Sequence, residues 1–370
     1  MTPIPITFVS SHSANGGSER YLDRLLSELG SAWIHSVICL EGGPLVEKLR
    51  SEGIDVSVIP VAARPPGSLI GCWRLRRHLN NTGASLIHAN GIKAAFACGL
   101  ATTFTPAKLI WVKHDFSFEG WFASTVGAMS DKIIGVSTAS ISSLRGLARG
   151  KAVTVHTGIE HVDLDRARSR SRLLAETGWP QDSVIIGSVG RLHPVKGFAE
   201  LIAATSSIRE RVPQARVAIV GSPDPHYPHA RENLEAIARS KDFYDHVSIL
   251  GERDDVRTVM AAFDIGVIPT IAVRRGGREG FSLVALEMLD AGTPVVAFRS
   301  GALPEVLGDC GMLADEGNVQ ALGDSIVRVA EDDAIRRRLA SCGPERVARA
   351  FSTSRWVAAM KEEYVATWRE

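Results

Sequence analysis

Short runs of β-branched and aromatic residues alternate with longer helical patterns, and this alternation occurs twice along the chain. The first series extends from "ITFVS" to "AVTVHTG" and the second from "SVIIGSVGRL" to "GMLAD". Such a rhythm is typical of parallel strands joined by crossover helices. Because 370 residues exceed what one hydrophobic core usually supports, we predict an α/β protein with two Rossmann-like domains that face each other across a cleft.

The polar segment between the two series sets the predicted domain boundaries. Residues 158–182 contain one helical stretch and no strand pattern, as expected of a linker. We predict an N-terminal domain over residues 1–165, a second domain over 166–350 and a C-terminal helix over 351–370. Four apolar residues of the tail recur at helical spacing and predict a helix packed on a core: Trp356, Met360, Tyr364 and Trp368.

Charge and cysteine content exclude several classes of function. The 42 basic residues balance 41 acidic ones, so nothing indicates a nucleic-acid partner. The five cysteines are scattered, odd in number and free of CxxC spacing, which predicts reduced, mostly buried thiols rather than disulfides or a zinc site. These are Cys39, Cys72, Cys98, Cys310 and Cys342.

The chain has no signal-peptide pattern and no apolar run long enough to cross a membrane, so a cytoplasmic location is expected. The segment "CWRLRRHL", Cys72 to Leu79, places Trp73 among three arginines. A solvated helix face is the favoured interpretation of this segment. A peripheral membrane contact stays open as the alternative.

Two cations follow the first strand of the second series. In "GRLHPVKG", Arg191 and Lys196 lie between Gly190 and Gly197, directly before a helical pattern. A strand, a glycine turn and two cations before a helix suit a phosphate or diphosphate. Basic residues at such turns are also common surface features, so this signal is weak when it stands alone.

Two glutamates flank a later loop-to-helix junction. In "EGFSLVALE", Ser282 is a good N-cap, so Glu279 precedes the helix and Glu287 lies within it. A carboxylate beside an anion-binding helix terminus is better suited to sugar or ribose hydroxyls than to phosphate. Together with Arg191 and Lys196 the pattern indicates a nucleotide sugar. The simpler interpretation is a capping glutamate and an exposed helical one.

With these motifs assembled, the sequence resembles the retaining GT-B glycosyltransferases of glycosyltransferase family 4 over nearly its whole length. The motifs that carry the resemblance are "NGGSER", "IHANG", "KHD", "GRLHPVKG", "EGFSLVALE" and "SGALPEVL". The resemblance implies a GT-B fold, with the C-terminal helix returning toward the N-terminal domain. It also implies transfer from a nucleoside-diphosphate sugar, with uridine favoured, to a hydroxyl acceptor such as a glycan, a lipid-linked acceptor or a cyclitol.

The resemblance also assigns expected roles. Arg191 and Lys196 would hold the diphosphate, and Glu279 and His114 would act on the transferred sugar. The other donor-binding residues implied are Gly16, Gly17, Glu252, Gly280, Phe281, Ser282, Leu283 and Glu287. The acceptor-binding residues implied are Asn15, His88 and Asp115. The sugar nucleotide is a co-substrate, and no cofactor and no metal ion are implied.

Three alternatives compete with this interpretation. A nucleotide-sugar epimerase of the same architecture would consume no second substrate, and a non-catalytic nucleotide-sugar-binding protein would transfer nothing. A nicotinamide oxidoreductase requires GxGxxG after its first strand, and "SSHSANGGSER" lacks that spacing. The chain also departs from the family pattern, because Ser300-Gly301-Ala302 replaces a frequent double glycine. The run from Val273 to Phe281 is more cationic than usual.

Overall fold

The computed structural model describes residues 2–14, 16–62, 67–241, 243–272 and 278–370. The chain divides into two compact units. Unit 1 comprises Met1–Gly158 and Thr353–Glu370, and unit 2 comprises Ile159–Ser352. The division after Gly158 lies seven residues before the boundary expected from the sequence.

In its described residues, unit 1 is a parallel seven-stranded sheet with the order β3-β2-β1-β4-β5-β6-β7. Its strands are β1 Ile6–Ser10, β2 Ile34–Cys39, β3 Val56–Val58, β4 Leu86–Asn90, β5 Lys108–Lys113, β6 Lys132–Gly135 and β7 Ala152–Thr154. Its helices are α1 Gly17–Leu29, α2 Pro44–Ser51, α3 Gly67–Thr82, α4 Ile92–Thr102, α5 Trp121–Ala128, α6 Thr138–Ile141, α7 Gly146–Gly150 and, from the C-terminal segment, α16 Thr353–Arg369.

The central strands of unit 1, β1 and β4, are buried along their whole length because helices cover both faces of the sheet. Helices α3, α4 and α5 pack on one face through a core that includes Leu75 and Trp111. Helix α16 contacts α1 and β5. Its residues Trp356, Met360 and Tyr364 are buried as expected, whereas Trp368 is partly exposed.

Unit 2 contains a parallel six-stranded sheet in its described residues, with the order β10-β9-β8-β11-β12-β13. Its strands are β8 Val184–Val189, β9 Ala215–Val220, β10 Val247–Gly251, β11 Ile265–Ile268, β12 Val295–Phe298 and β13 Gly311–Ala314. Its helices are α8 Arg166–Thr177, α9 Phe198–Arg211, α10 Ala230–Ser240, α11 Val256–Ala261, α12 Leu283–Asp290, α13 Leu303–Leu307, α14 Val319–Glu331 and α15 Asp333–Ala350.

In each sheet the direction in which successive parallel strands are added reverses once, and we call this position the strand reversal. The reversal lies between β1 and β4 in unit 1 and between β8 and β11 in unit 2. In open α/β sheets the loops at such a reversal diverge and leave a crevice at the carboxyl ends of the strands, where ligands bind. The two positions therefore mark where functional groups are expected.

One expectation about the cysteines is wrong. Cys310 and Cys342 form a disulfide, while Cys39, Cys72 and Cys98 are free and buried. The two bonded residues are 32 positions apart, and α15 packs against the short 3-10 turn Gly308–Cys310. The pairing depends on this tertiary contact, and a spacing rule for neighbouring cysteines does not detect it.

Candidate functional site

The loop after β8 places two cations at the strand reversal of unit 2. Gly190 leaves the strand with its amide bonded to the carbonyl of Val220, and the short 3-10 turn Pro194–Lys196 leads into α9. The backbone of Gly197 has a φ of +67°, and a Cβ there would lie 1.8 Å from the carbonyl oxygen of Pro269. Gly197 therefore lets the turn that carries Lys196 approach the end of β11 closely.

Lys196 and Glu279 form an ion pair in this structure. Their Nζ and Oε2 atoms are 3.0 Å apart, and the hydroxyl of Thr270 donates to the same carboxylate oxygen at 3.1 Å. Both side chains are largely shielded from solvent. Residues at the ends of β8 and β11 complete a small cleft around the pair, with Ser282 and Val284 of the α12 N-terminus on its wall.

Arg191 is held by a second carboxylate, from Asp224. The Nη1 atom of Arg191 lies 2.7 Å from Oδ2 of Asp224, whose side chain is almost fully buried. Although burial opposes ionisation, hydrogen bonds from His226 and the charge of Arg191 lower the pKa of Asp224. The guanidinium itself is more than half exposed and keeps further N–H donors for another ligand.

Helix α12 begins at this cleft as the sequence predicts. The Ser282 hydroxyl accepts a hydrogen bond from the amide of Ala285, and Gly292 follows the last turn with a φ of +65°. Glu287 lies half-buried within the helix, and Glu279 precedes it. The loop before the helix is fastened by a bond from the amide of Ala302 to the carbonyl of Glu279.

Four further expected donor residues lie in the same unit. Gly280 is buried, Phe281 contacts the ring of Phe351, and Leu283 is the first residue of α12. Glu252 is exposed directly after β10. Part of the cationic run, residues 273–277, lies outside the described residues.

At the strand reversal of unit 1 the structure brings His114 against Asn90. His114 follows β5, and its Nε2 lies 2.6 Å from the side-chain oxygen of Asn90 at the end of β4. The amide nitrogen of Asn90 donates to the carbonyl of Ser18 in α1. Burial, aided by the nearby Lys113 cation, lowers the pKa of His114 to about 4, so the ring is neutral at pH 7 and donates from Nε2.

The other unit 1 candidates have different surroundings. Gly16 and Gly17 open α1, and a Cβ on Gly17 would meet only open space. The carboxylate of Asp115 is exposed and accepts bonds from the amide and hydroxyl of Ser117, so it shapes its own loop. Asn15 lies outside the described residues.

His88, which the resemblance places among the acceptor-binding residues, lies inside the sheet instead of at a strand end. It is the middle residue of β4, fully buried, and its Nδ1 lies 2.7 Å from the hydroxyl of Tyr364 in α16. Burial, and to a smaller extent His114, lowers the pKa of His88 to about 3. Its position on the inner face of the sheet makes it a packing residue that joins β4 to the C-terminal helix.

These buried histidines predict an acid-sensitive unit 1. In the folded state their pKa values lie near 3 and 4, whereas an unfolded histidine titrates near 6.5. The unfolded chain therefore binds more protons below pH 6.5, and we expect about 2 kcal/mol of stability to be lost per histidine by pH 5. Thermal unfolding from pH 7.5 to pH 5 measures the loss.

The variant His88→Phe tests the assignment because it keeps a ring but removes the titrating group. We expect a lower melting temperature at pH 7.5, since Tyr364 loses its hydrogen-bond partner. We also expect the melting temperature to decrease less between pH 7.5 and pH 5 than it does in the unaltered protein. A decrease as steep as that of the unaltered protein would contradict the role given to His88.

Three residues at the candidate sites were not anticipated. Asp224 and Thr270 hold the catalytic candidates Arg191 and Glu279, and Asn90 holds His114. Asn90 is the last residue of β4 and Thr270 lies two residues after β11, both at the strand reversals, so their positions in the sequence pointed to a site. Nothing in the sequence singles out Asp224. In the described residues no group of three or more His, Cys, Asp or Glu is arranged to hold a metal ion.

Comparison with known proteins agrees with this geometry. A family model described as "Glycosyltransferase Family 4" matches residues 15–163, and one described as "Glycosyl transferases group 1" matches residues 183–332. Among solved structures, HepE of Anabaena in complex with UDP has a TM-score of 0.84 at 22% identity, covering 98% of this chain and 100% of that one. Sucrose-phosphate synthase of Thermosynechococcus elongatus has a TM-score of 0.79 at 21% identity, covering 99% of each.

Curated relatives are glycosyltransferases as well. A D-inositol 3-phosphate glycosyltransferase of Corynebacterium glutamicum is 31% identical over 54% of this chain and 47% of its own length. One from Saccharomonospora viridis is 30% identical over 65% of this chain and 56% of its own length. The matches thus span about half the length of these relatives. The chain belongs to the family 4 glycosyltransferases and has the GT-B fold.

Proposed function

We propose that this protein is a retaining glycosyltransferase that moves a sugar from a nucleoside-diphosphate sugar to a hydroxyl acceptor. The observation that carries the proposal is the pairing of Lys196 with Glu279 at the strand reversal of unit 2, beside Arg191 and the N-terminus of α12. A sugar diphosphate needs cations that bind its phosphates and a carboxylate that binds its sugar, and both must lie at one place. Family membership supports this chemistry over epimerisation or simple binding.

Each cation is available to a diphosphate even though it has a carboxylate partner. Lys196 has three N–H donors and directs one at Glu279, and Arg191 has five and directs one at Asp224. The carboxylates position the cations without exhausting their donors. In this proposal Glu279 also accepts a hydroxyl of the donor sugar, and Glu287 accepts the ribose hydroxyls.

The proposed reaction proceeds on one face of the sugar. The anomeric bond to the diphosphate breaks as the acceptor oxygen attaches to the same face, and the acceptor proton passes to the leaving phosphate oxygen. Lys196 and Arg191 stabilise the negative charge that develops on that phosphate, and this supplies the electrostatic part of catalysis without a required metal ion. In the proposal, His114 is a neutral ring whose Nε2–H is held by Asn90 and whose Nδ1 accepts a hydrogen bond from a sugar hydroxyl and so orients it.

The finer substrate assignments are also part of the proposal. A UDP-linked donor is supported by similar structures, which include HepE of Anabaena in complex with UDP and with UDP-glucose. A cyclitol-type hydroxyl acceptor is supported by the names of the curated relatives, which are D-inositol 3-phosphate glycosyltransferases. A glycan or a lipid-linked acceptor is the other class expected from the sequence. Asp115 belongs to the proposed acceptor side, together with Asn15, whereas Gly16 and Gly17 belong to the proposed donor site.

Thermal unfolding with nucleotides tests the donor assignment. A ligand at 100 times its dissociation constant adds about 2.7 kcal/mol, a shift of a few degrees in a protein of this size. We expect UDP and one UDP-sugar to raise the melting temperature, with smaller effects of GDP, ADP and their sugar conjugates. NAD is the negative control.

The variant Glu287→Gln should lose most of this shift, and Glu362→Gln, at an exposed position on α16, is the matched control that should keep it. A shift with NAD alone, or none with any nucleoside diphosphate, would refute the proposed donor. A normal UDP shift in Glu287→Gln would refute the role of Glu287.

A further inference from the structure

One long stretch of unit 1 contains basic residues and no acidic ones. Between Asp55 and Asp115 lie 59 residues with seven Lys or Arg and no Asp or Glu, in a chain whose totals are 42 basic and 41 acidic residues. This stretch includes α3 and α4, which pack against each other. The surface formed by these helices is therefore cationic by sequence, although the whole protein is close to neutral.

The exposed side of α3 is apolar as well as cationic. Gly71, Cys72, Leu75 and Leu79 face the core, as expected of an amphipathic helix. The opposite side, however, carries Leu69, Ile70 and Trp73, which are 61%, 49% and 60% exposed. Arg74 and Arg77, which follow these residues in the helix, are also exposed. The Arg77 guanidinium lies 5.9 Å from the centre of the Trp73 ring.

The turn after α4 adds a further aromatic residue beside this helix. Arg76 donates to the carbonyls of Ala101 and Thr103, which ties α3 to the end of α4. Directly after these carbonyls, Phe104 is 99% exposed, with a φ of +63°. We call the set Leu69, Ile70, Trp73, Arg74, Arg77 and Phe104 the cationic apolar face.

We propose that the cationic apolar face binds the surface of a bilayer that contains anionic lipids. Exposed Trp, Leu, Ile and Phe side chains enter the boundary between headgroups and acyl chains, while arginines at the same level pair with lipid phosphates. Charge complementarity favours this occupant, since each arginine gains from a negative surface potential and no carboxylate in the stretch opposes it. No helix in the described part of the chain is long and apolar enough to cross a membrane, so the contact is peripheral. The proposal does not rest on the transfer reaction.

Co-sedimentation with vesicles tests the proposal with the full chain. We expect binding to vesicles of phosphatidylcholine with about one-third phosphatidylglycerol, weak binding to phosphatidylcholine alone, and weakening in high salt. The variant R74E/R77E should lower the partition coefficient roughly tenfold or more. W73S should lower it several-fold through loss of the apolar contact, and neither variant should change the melting temperature much, because all three side chains are exposed.

Two matched controls separate the face from general charge and hydrophobicity. R168E/R337E makes the same charge change at two exposed positions of unit 2, and W368S removes a partly exposed tryptophan from α16. Both should bind vesicles normally. The proposal is wrong if the unaltered protein ignores anionic vesicles, or if R74E/R77E and its control lose binding equally. It is also wrong if W73S instead dissociates a dimer in sedimentation velocity, because a second copy would then occupy the face.

Discussion

Replacement of Lys196 by Met is expected to lower kcat by about a hundredfold to a thousandfold, which is the usual effect of removing one donor that stabilises transition-state charge. The ammonium lies 3.0 Å from Glu279, and in the proposed function it neutralises the phosphate that leaves. Methionine keeps most of the side-chain volume and removes the charge. Steady-state transfer from the donor identified by thermal unfolding measures the effect.

The control for this variant is Lys241→Met, which removes an exposed lysine of the same unit and should leave kcat unchanged. Lys196→Arg should recover part of the lost rate, because it restores a cation of different shape. If Lys196→Met transferred sugar at the normal rate, Lys196 would not be a catalytic group. A normal melting temperature in that variant would show that the fold is intact.

Replacement of Gly301 by Ala is expected to lower activity about a hundredfold and to destabilise unit 2. The backbone of Gly301 has a φ of +54°, and a Cβ there would lie 2.1 Å from the carbonyl oxygen of Glu279. The loop that carries Glu279 must therefore move, and a displacement of about 1 Å at a catalytic group can cost this much in rate. The measurements are kcat and the melting temperature of the purified variant.

Gly317 supplies a matched control, because it has a φ of +77° and a Cβ there would meet nothing within 4 Å. Gly317→Ala carries the same left-handed backbone strain, about 1–2 kcal/mol, without a collision. It should lose some stability and keep full activity. Equal activity in the Gly301 and Gly317 variants would show that the close approach to Glu279 does not matter for catalysis.

The local structure around the proposed donor residues of unit 2 was largely predictable because it is encoded by nearby residues. The α12 cap at Ser282, the turn between Gly190 and Gly197 and the two glutamates around the helix start all depend on residues within about ten positions of one another. Local rules for caps, glycine turns and strand ends apply at that range. The Ser300-Gly301-Ala302 segment was noticed only as a departure from the family pattern, and the contact of Gly301 with Glu279 was not predictable.

His88 shows where local reasoning fails. The pattern of "IHANG" puts a histidine near the end of a strand, but whether it faces a ligand or the core depends on what packs over the sheet. Helix α16 covers that face, and its residue Tyr364, 276 positions after His88, forms the hydrogen bond with the histidine ring. The same strand ends in Asn90, whose side chain holds His114 through a hydrogen bond between residues 24 positions apart.

The sequence by itself determined the α/β class, the two series of parallel strands and the local motifs that carry Arg191, Lys196, Glu279 and Glu287, because hydrophobic periodicity and turn chemistry act over a few residues. The tertiary structure alone decided which groups meet: Asp224 with Arg191, Thr270 and Gly301 with Glu279, Tyr364 with His88 and Cys310 with Cys342. These pairs join segments from nine to 276 residues apart. Their partners are selected by the order of strands and the packing of helices, which no short stretch of sequence specifies.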